Sequence, residues 1–148
     1  MRVVIQRCSK ANILIDNTIE RNIDKGFVIL LGMTNGDDIK DINYLIQKIV
    51  NLRIFEDDNN KMNYSVKDIN GSILLVSQFT LYADTKKGNR PSFTKSMNYE
   101  SAKELYNVFI EELKKENIHF ETGEFGSDMK INLINDGPVT IIMDSKEV

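Results

Sequence analysis

The sequence predicts an α/β domain in which a mostly antiparallel β-sheet carries two main helices packed on its outside. Three observations predict it. Short segments at the start alternate apolar and polar residues, the runs Phe27–Leu31 and Ile73–Val76 are continuously apolar, and two later stretches repeat apolar residues at helical spacing. The 148 residues are the size of one ordinary domain, and such a domain buries about 68–70% of the surface its unfolded chain exposes. A single domain over residues 1–148 is expected, with no repeat or linker dividing it.

Val3, Ile5 and Arg7 alternate with Arg2, Val4 and Gln6, and Ile13 and Ile15 alternate with Asn12 and Leu14, which predicts two short strands. Asp16-Asn17 is the hairpin turn into a third strand, Ile19 to Ile23. Gly26 opens the strand Phe27 to Gly32, whose unbroken apolar character places it at the sheet centre. Asn35-Gly36-Asp37-Asp38 then turns the chain into a helix with Ile42, Leu45, Ile46, Ile49 and Leu52 on one stripe. Arg53-Ile54-Phe55 is extended, and Glu56 to Lys61 is a polar loop whose acids lack the alternation of a calcium loop.

Asn70-Gly71 turns into the buried strand Ser72 to Val76. The second helix runs from about Tyr99 to Glu116, with Ala102, Leu105, Val108, Phe109 and Leu113 on its apolar side and Glu111, Glu112, Lys114 and Lys115 outside. His119 and Phe120 begin another strand, Gly123 to Gly126 turns it, and Met129 to Ile134 leads through Asn135 to Pro138 into the last strand.

No apolar run approaches the roughly 20 residues of a spanning helix, and the N-terminus has no cleavable signal pattern. The single Cys8 can form no internal disulfide and reads as a small core hydrophobe. A cytoplasmic protein without a membrane partner is expected. The net charge of -3 counts against a generic nucleic-acid coat. Lys86, Lys87 and Arg90 around Gly88-Asn89 make a local basic loop of the kind that holds a phosphate backbone, although charge alone favours a merely solvated loop.

The residues available for chemistry are few. A serine-hydrolase triad needs a histidine base, and His119 is the only histidine. No pair of ligands has zinc-site spacing, and no phosphate loop or dinucleotide fingerprint is present, so neither a metal nor a cofactor is expected. There remains Ser77-Gln78-Phe79-Thr80, polar and turn-forming at a strand end, and the Gly137-Pro138 corner. Backbone N–H groups of Phe79 and Thr80 suit the hydrolysis of an already reactive ester, where they stabilise the developing oxyanion. A strand end that simply caps the sheet is the plainer alternative.

Ser77-Gln78-Phe79-Thr80-Leu81-Tyr82 and Asn135-Asp136-Gly137-Pro138-Val139-Thr140 together resemble the two signature stretches of the D-aminoacyl-tRNA deacylases. Met1 to Arg7, Lys48 to Phe55, Lys86 to Phe93 and Gly123 to Gly126 match in order, so the resemblance spans nearly the whole chain. It implies a barrel-like core in a homodimer that hydrolyses D-aminoacyl-tRNA and mischarged glycyl-tRNA and rejects L-aminoacyl-tRNA. It further implies that a cis Gly137-Pro138 dipeptide of one subunit enters the other's site, lined by Ser77, Gln78, Phe79 and Thr80. The residues alone would predict a trans bond, since only about 5–6% of X-Pro bonds are cis.

By the same resemblance Arg7 holds the Gly-Pro segment, and Phe125 and Met129 lie near the terminal adenosine. Met97 and Tyr99 depart from the common pattern, which has alanine and proline there in many members, and so bear on the shape of that pocket. The implied partners are D-aminoacyl-tRNA, glycyl-tRNA and a second copy of the chain, with no DNA and no membrane. The expected mechanism is attack by water helped by the ribose 2′-hydroxyl. The competing readings are a Thr80 nucleophile and a non-catalytic RNA-end or small-ligand binding module.

Overall fold

The computed structural model describes residues 1–147. In chain order the elements are β1 (Arg2–Ile15), β2 (Ile19–Ile23), β3 (Gly26–Gly32), α1 (Ile39–Val50), β4 (Phe55–Glu56), β5 (Met62–Tyr64), β6 (Ser72–Ser77), a 3₁₀ turn (Phe79–Tyr82), α2 (Tyr99–Lys114), β7 (His119–Thr122) and β8 (Met129–Asp144). The main sheet runs β2-β1-β3-β6-β7, with β8 along the other side of β1. β1 is antiparallel to β2, β3 and β8, whereas β6 is parallel to β3 and to β7. The two ends of the path curl toward each other: the Arg21 guanidinium of β2 donates to the Thr122 carbonyl of β7 and pairs with Glu124. The result is a mixed sheet nearly closed into a barrel, as expected, with both helices outside.

The two short strands expected at the N-terminus are one strand. β1 runs 14 residues because β8 pairs with it along nearly its whole length. Its inward phase changes where Ser9 and Lys10 lie opposite the single residue Ile134. Before that irregularity Val3 and Ile5 face the core beneath the helices, and after it Ala11, Ile13 and Ile15 face the barrel interior. A pleat alternates faces at every residue, so the one extra residue on β1 transfers the apolar set from one face to the other.

β3 and β6 are buried on both faces, which is why their sequences do not alternate: Phe27, Ile29, Leu31, Ile73 and Leu75 enter the helix-side core, and Val28, Leu74 and Val76 the barrel interior. α1 lays Ile42, Leu45, Ile46 and Ile49 on the first of these cores. Its start is a capping box: Asp38 Oδ1 accepts from the Lys40 N–H at 2.7 Å, and Asp41 Oδ2 accepts from the Asp38 N–H at 2.9 Å.

α2 corrects the expected apolar face. Tyr106 is 2% exposed and donates its hydroxyl to the Leu75 carbonyl at 3.0 Å, whereas Val108 is 38% exposed. The face that meets the sheet is Ala102, Tyr106, Phe109 and Leu113, and Val108 lies a third of a turn off it. The helix ends at Lys114, because the Lys115 N–H bonds back to the Glu112 carbonyl at 3.2 Å and Asn117 takes a positive φ of 54°. The polar loop at Glu56 to Lys61 is the turn of a small hairpin, with Asp57 Oδ1 accepting the N–H groups of Asn59 and Lys61. No helix among the described residues is long and apolar enough to cross a membrane.

Candidate functional site

β6 leaves the sheet at Ser77, and its last tie is the Gln78 N–H donating to the Leu31 carbonyl at 2.7 Å. The chain then coils at once into the 3₁₀ turn, which sits directly on β3. Gly32 permits this approach, since a Cβ there would lie 2.9 Å from Leu81 Cβ and 3.1 Å from the Gln78 carbonyl oxygen. The first N–H groups of a helix have no acceptor within it. Phe79 and Thr80 hold those positions, and neither amide meets an acceptor elsewhere among the described residues.

Beside this corner opens a cavity of about 580 Å³. It brings together Ser77, Gln78 and Phe79 with Met97, Phe125 and Met129, residues far apart in the chain. Thr80 does not line it; the Thr80 side chain is exposed and its Oγ1 accepts from Gln78 Nε2. Phe79 is 56% exposed, held edge-on by Phe93 with ring centroids 5.0 Å apart. On the far wall Tyr99 stacks edgewise on Phe125 at 5.2 Å, and Phe125 packs in turn on Tyr106 at 5.6 Å. Tyr99 therefore belongs to the cavity, where its bulk narrows the wall beside Phe125.

Arg7, Gly137 and Pro138 lie together, away from that cavity. Between the pairs Gln6↔Thr140 and Cys8↔Asn135, β1 has only Arg7 while β8 has residues 136–139, so β8 bulges outward. The Gly137-Pro138 peptide in the bulge is cis, and both residues are exposed. Gly137 has φ 125°, and a Cβ there would fall 2.8 Å from Val139 Cγ2 and 2.9 Å from Arg7 Nη2. Arg7, 4% exposed, donates from Nε to the Asp136 carbonyl at 3.0 Å and from Nη1 to the Ile54 carbonyl at 2.7 Å. The Glu56 carboxylate is 3.8 Å from Nη2, and Asp136 Oδ2 is 3.9 Å from Nε.

Asn135 clamps the same bulge from its other end. Its Oδ1 accepts the Val139 N–H at 3.1 Å, and its Nδ2 donates to Thr140 Oγ1 at 3.1 Å. Sequence reading missed it as a functional residue. The signal available was an Asx residue heading a Gly-Pro turn, the position from which a short amide side chain reaches the following backbone.

Two titratable side chains line the cavity, Tyr99 and Asp128, and neither was singled out as a reacting group from the sequence. The Asp128 carboxylate is exposed and paired with Lys130 at 3.0 Å. His119 is exposed at the start of β7, paired in register with Ser72. Cys8 is fully buried, and that burial pushes its thiol up to about 11, which leaves it a protonated core side chain. The cavity therefore offers amides and aromatic surface in place of a strong side-chain base.

A family model described as D-Tyr-tRNA(Tyr) deacylase matches residues 4–144. The D-aminoacyl-tRNA deacylase of Finegoldia magna is 55% identical, with 99% of this chain and 99% of that protein covered. The D-aminoacyl-tRNA deacylase of Flavobacterium psychrophilum is 58% identical over 99% of this chain and 98% of its own. Among solved structures, one titled c-Myc DNA Unwinding Element Binding Protein superposes with a TM-score of 0.90 at 38% identity, covering 97% of this chain and 98% of that one. A probable eukaryotic D-amino acid tRNA deacylase superposes at 0.82 with 16% identity, covering 96% and 97%, which establishes likeness of fold.

Proposed function

The chain belongs to the D-Tyr-tRNA(Tyr) deacylase family, and from that membership we propose that it hydrolyses the ester joining a D-amino acid to the 3′ end of tRNA. The observation that carries the reading is the cavity that joins Ser77, Gln78 and Phe79 to Met97, Phe125 and Met129, with an unengaged amide at Phe79, which lines it, and a second at Thr80, the next residue of the same turn. The ester carbonyl sits against those amides, and the terminal adenine lies along Phe125 and Met129. Water, helped by the vicinal 2′-hydroxyl, adds to the carbonyl carbon. The amides hold the oxyanion, the ester C–O bond breaks, and the ribose oxygen leaves with a proton. Thr80 takes part through its backbone, because its hydroxyl accepts from Gln78 and no histidine base lines the cavity.

Chirality is read by exclusion. The exposed Gly137-Pro138 bulge projects from its own chain without lining that chain's cavity, the disposition required of a wedge that enters a second copy. Its fixed carbonyls stand where an L side chain would point and leave room for hydrogen, so glycine passes along with D-amino acids. A thousandfold discrimination corresponds to roughly 4 kcal/mol in the transition state, within reach of a steric clash. Ile134 and Ile142, 51% and 66% exposed on the strand that carries the wedge, supply apolar surface for the second copy. The enzyme works without a cofactor, in the cytoplasm where tRNA is charged, and DNA is not its substrate.

Incubation with D-tyrosyl-, L-tyrosyl- and glycyl-tRNA tests this reading. D-tyrosyl- and glycyl-tRNA should lose their amino acid while the L-ester persists. Survival of all three esters would mean a non-catalytic RNA-end or small-ligand binding module, and equal cleavage of both tyrosyl esters would remove the wedge.

A further inference from the structure

We propose that the basic hairpin tip between Asp84 and Ser92 is a phosphate-binding surface that holds the acceptor arm of the RNA substrate beside the cavity; this rests on reading the cavity as an aminoacyl-tRNA ester site. Lys86, Lys87 and Arg90 are all exposed on this tip, and no acid occurs from Thr85 to Thr94. Among the described residues none of the three cations is in an ion pair, whereas the neighbouring cations are matched: Lys95 by Asp84 at 3.0 Å and Arg2 by Asp144 at 2.9 Å. In a chain of net charge -3, the tip is thus a local concentration of positive charge, whose nearest acid, Asp84 at its base, is already engaged by the Lys95 ammonium and the Lys86 N–H.

The tip is also fixed relative to the cavity. Asp84 and Ser92 exchange two backbone hydrogen bonds, of 2.7 and 2.9 Å, that close its base. Past the base, Phe93 stacks edgewise on Phe79, Ser96 Oγ donates to the Phe79 carbonyl at 2.9 Å, and the Met97 N–H donates to the Met33 carbonyl at 3.0 Å. Phe79, Met33 and Met97 all line the cavity. Arg90 stands three residues before Phe93, so at most roughly 11 Å of backbone separates it from the residue stacked on the rim. A 3′ end seated in the cavity brings its preceding phosphates within reach of these side chains, and flexible exposed lysines and an arginine neutralise phosphates without reading sequence.

The test compares the wild type with the triple variant Lys86→Gln, Lys87→Gln, Arg90→Gln across a potassium chloride series. Three measurements are made: binding of uncharged tRNA, hydrolysis of D-tyrosyl-tRNA, and hydrolysis of the D-tyrosyl ester of adenosine, which has no acceptor arm. Each lost phosphate contact should flatten the slope of log affinity against log salt by about 0.7–0.9. The variant should therefore lose about 2 units of slope, bind uncharged tRNA at least tenfold more weakly at low salt, and show the same loss in KM but not kcat on D-tyrosyl-tRNA. Its deficit should be absent with the adenosine ester. An unchanged slope and affinity for tRNA would overturn the proposal, as would an equal deficit on the adenosine ester. Because uncharged tRNA binding involves no chemistry, it probes the tip even if wild-type protein cleaved neither ester, a result that would instead strike the deacylase reading.

Discussion

Phe79 contributes a ring and an amide to the rim, and substitution separates the two. Gln78 before it has φ -146° and ψ 82°, outside the helical region that a following proline disfavours, and the first position of a helical turn tolerates proline. Phe79→Ala removes the stack on Phe93, whereas Phe79→Pro removes the N–H as well. Single-turnover hydrolysis of D-tyrosyl-tRNA should fall about 10²–10³-fold further in the proline variant than in the alanine variant; equal rates would take the Phe79 amide out of the mechanism. Asn135 makes the second prediction at this scale. Its two hydrogen bonds span the bulge, so Asn135→Ala should loosen the wedge. At about 1–2 kcal/mol lost, L-tyrosyl-tRNA cleavage should rise roughly five- to thirtyfold with little change for the D-ester. The Ser77-Gln78-Phe79-Thr80 corner and the Gly-Pro turn were legible as residues because hydroxyl, amide and Gly-Pro types stand out in apolar runs. The clamp by Asn135 and the grip of Arg7 on the Ile54 carbonyl were not, since each depends on which distant atoms fold against it.

Among the elements, α1 shows its stability in its first turn. Burial works against the Asp41 carboxylate, but hydrogen bonds from Lys146, the Ser145 hydroxyl and the Asp38 N–H outweigh it and hold its pKa at about 2, below the ordinary 3.8. A depressed native pKa means the unfolded chain binds the proton first, so this contribution is complete above pH about 4 and disappears as pH falls through about 2. Asp41→Ala should cost about 2 kcal/mol at pH 7, measured by denaturant titration, and the gap from wild type should shrink toward pH 2. A gap that stayed constant with pH would assign the loss to packing. Helical spacing marked α1 correctly from Ile42, Leu45, Ile46 and Ile49 but carried the stripe on to Leu52, which lies past the end of the helix at Val50 and its cap at Asn51. It misjudged Val108 against Tyr106, because propensity and apolarity rank valine inside, while the Tyr106 hydroxyl has a buried carbonyl to satisfy.

For the whole molecule the decisive expectation is assembly. Ile142, 66% exposed on β8, should lie against the second copy. Ile142→Lys should convert a dimer to a monomer in sedimentation while leaving the monomer's own stability within about 0.5 kcal/mol, as exposed substitutions do, and should abolish discrimination between D- and L-esters. A variant that sedimented like the wild type would place the interface elsewhere. Periodicity and turn residues in the chain determined most of the strands, both helices and the two motifs, because these follow from contacts a few residues apart. Only the tertiary structure decided that β1 is one bent strand, that Tyr99 joins the cavity wall, and that Ser77 to Phe79 meet Phe125 and Met129 while Gly137-Pro138 faces outward. Those arrangements are set by strand pairing across more than a hundred residues, where register and bulges determine which face each side chain takes, and no local pattern encodes them.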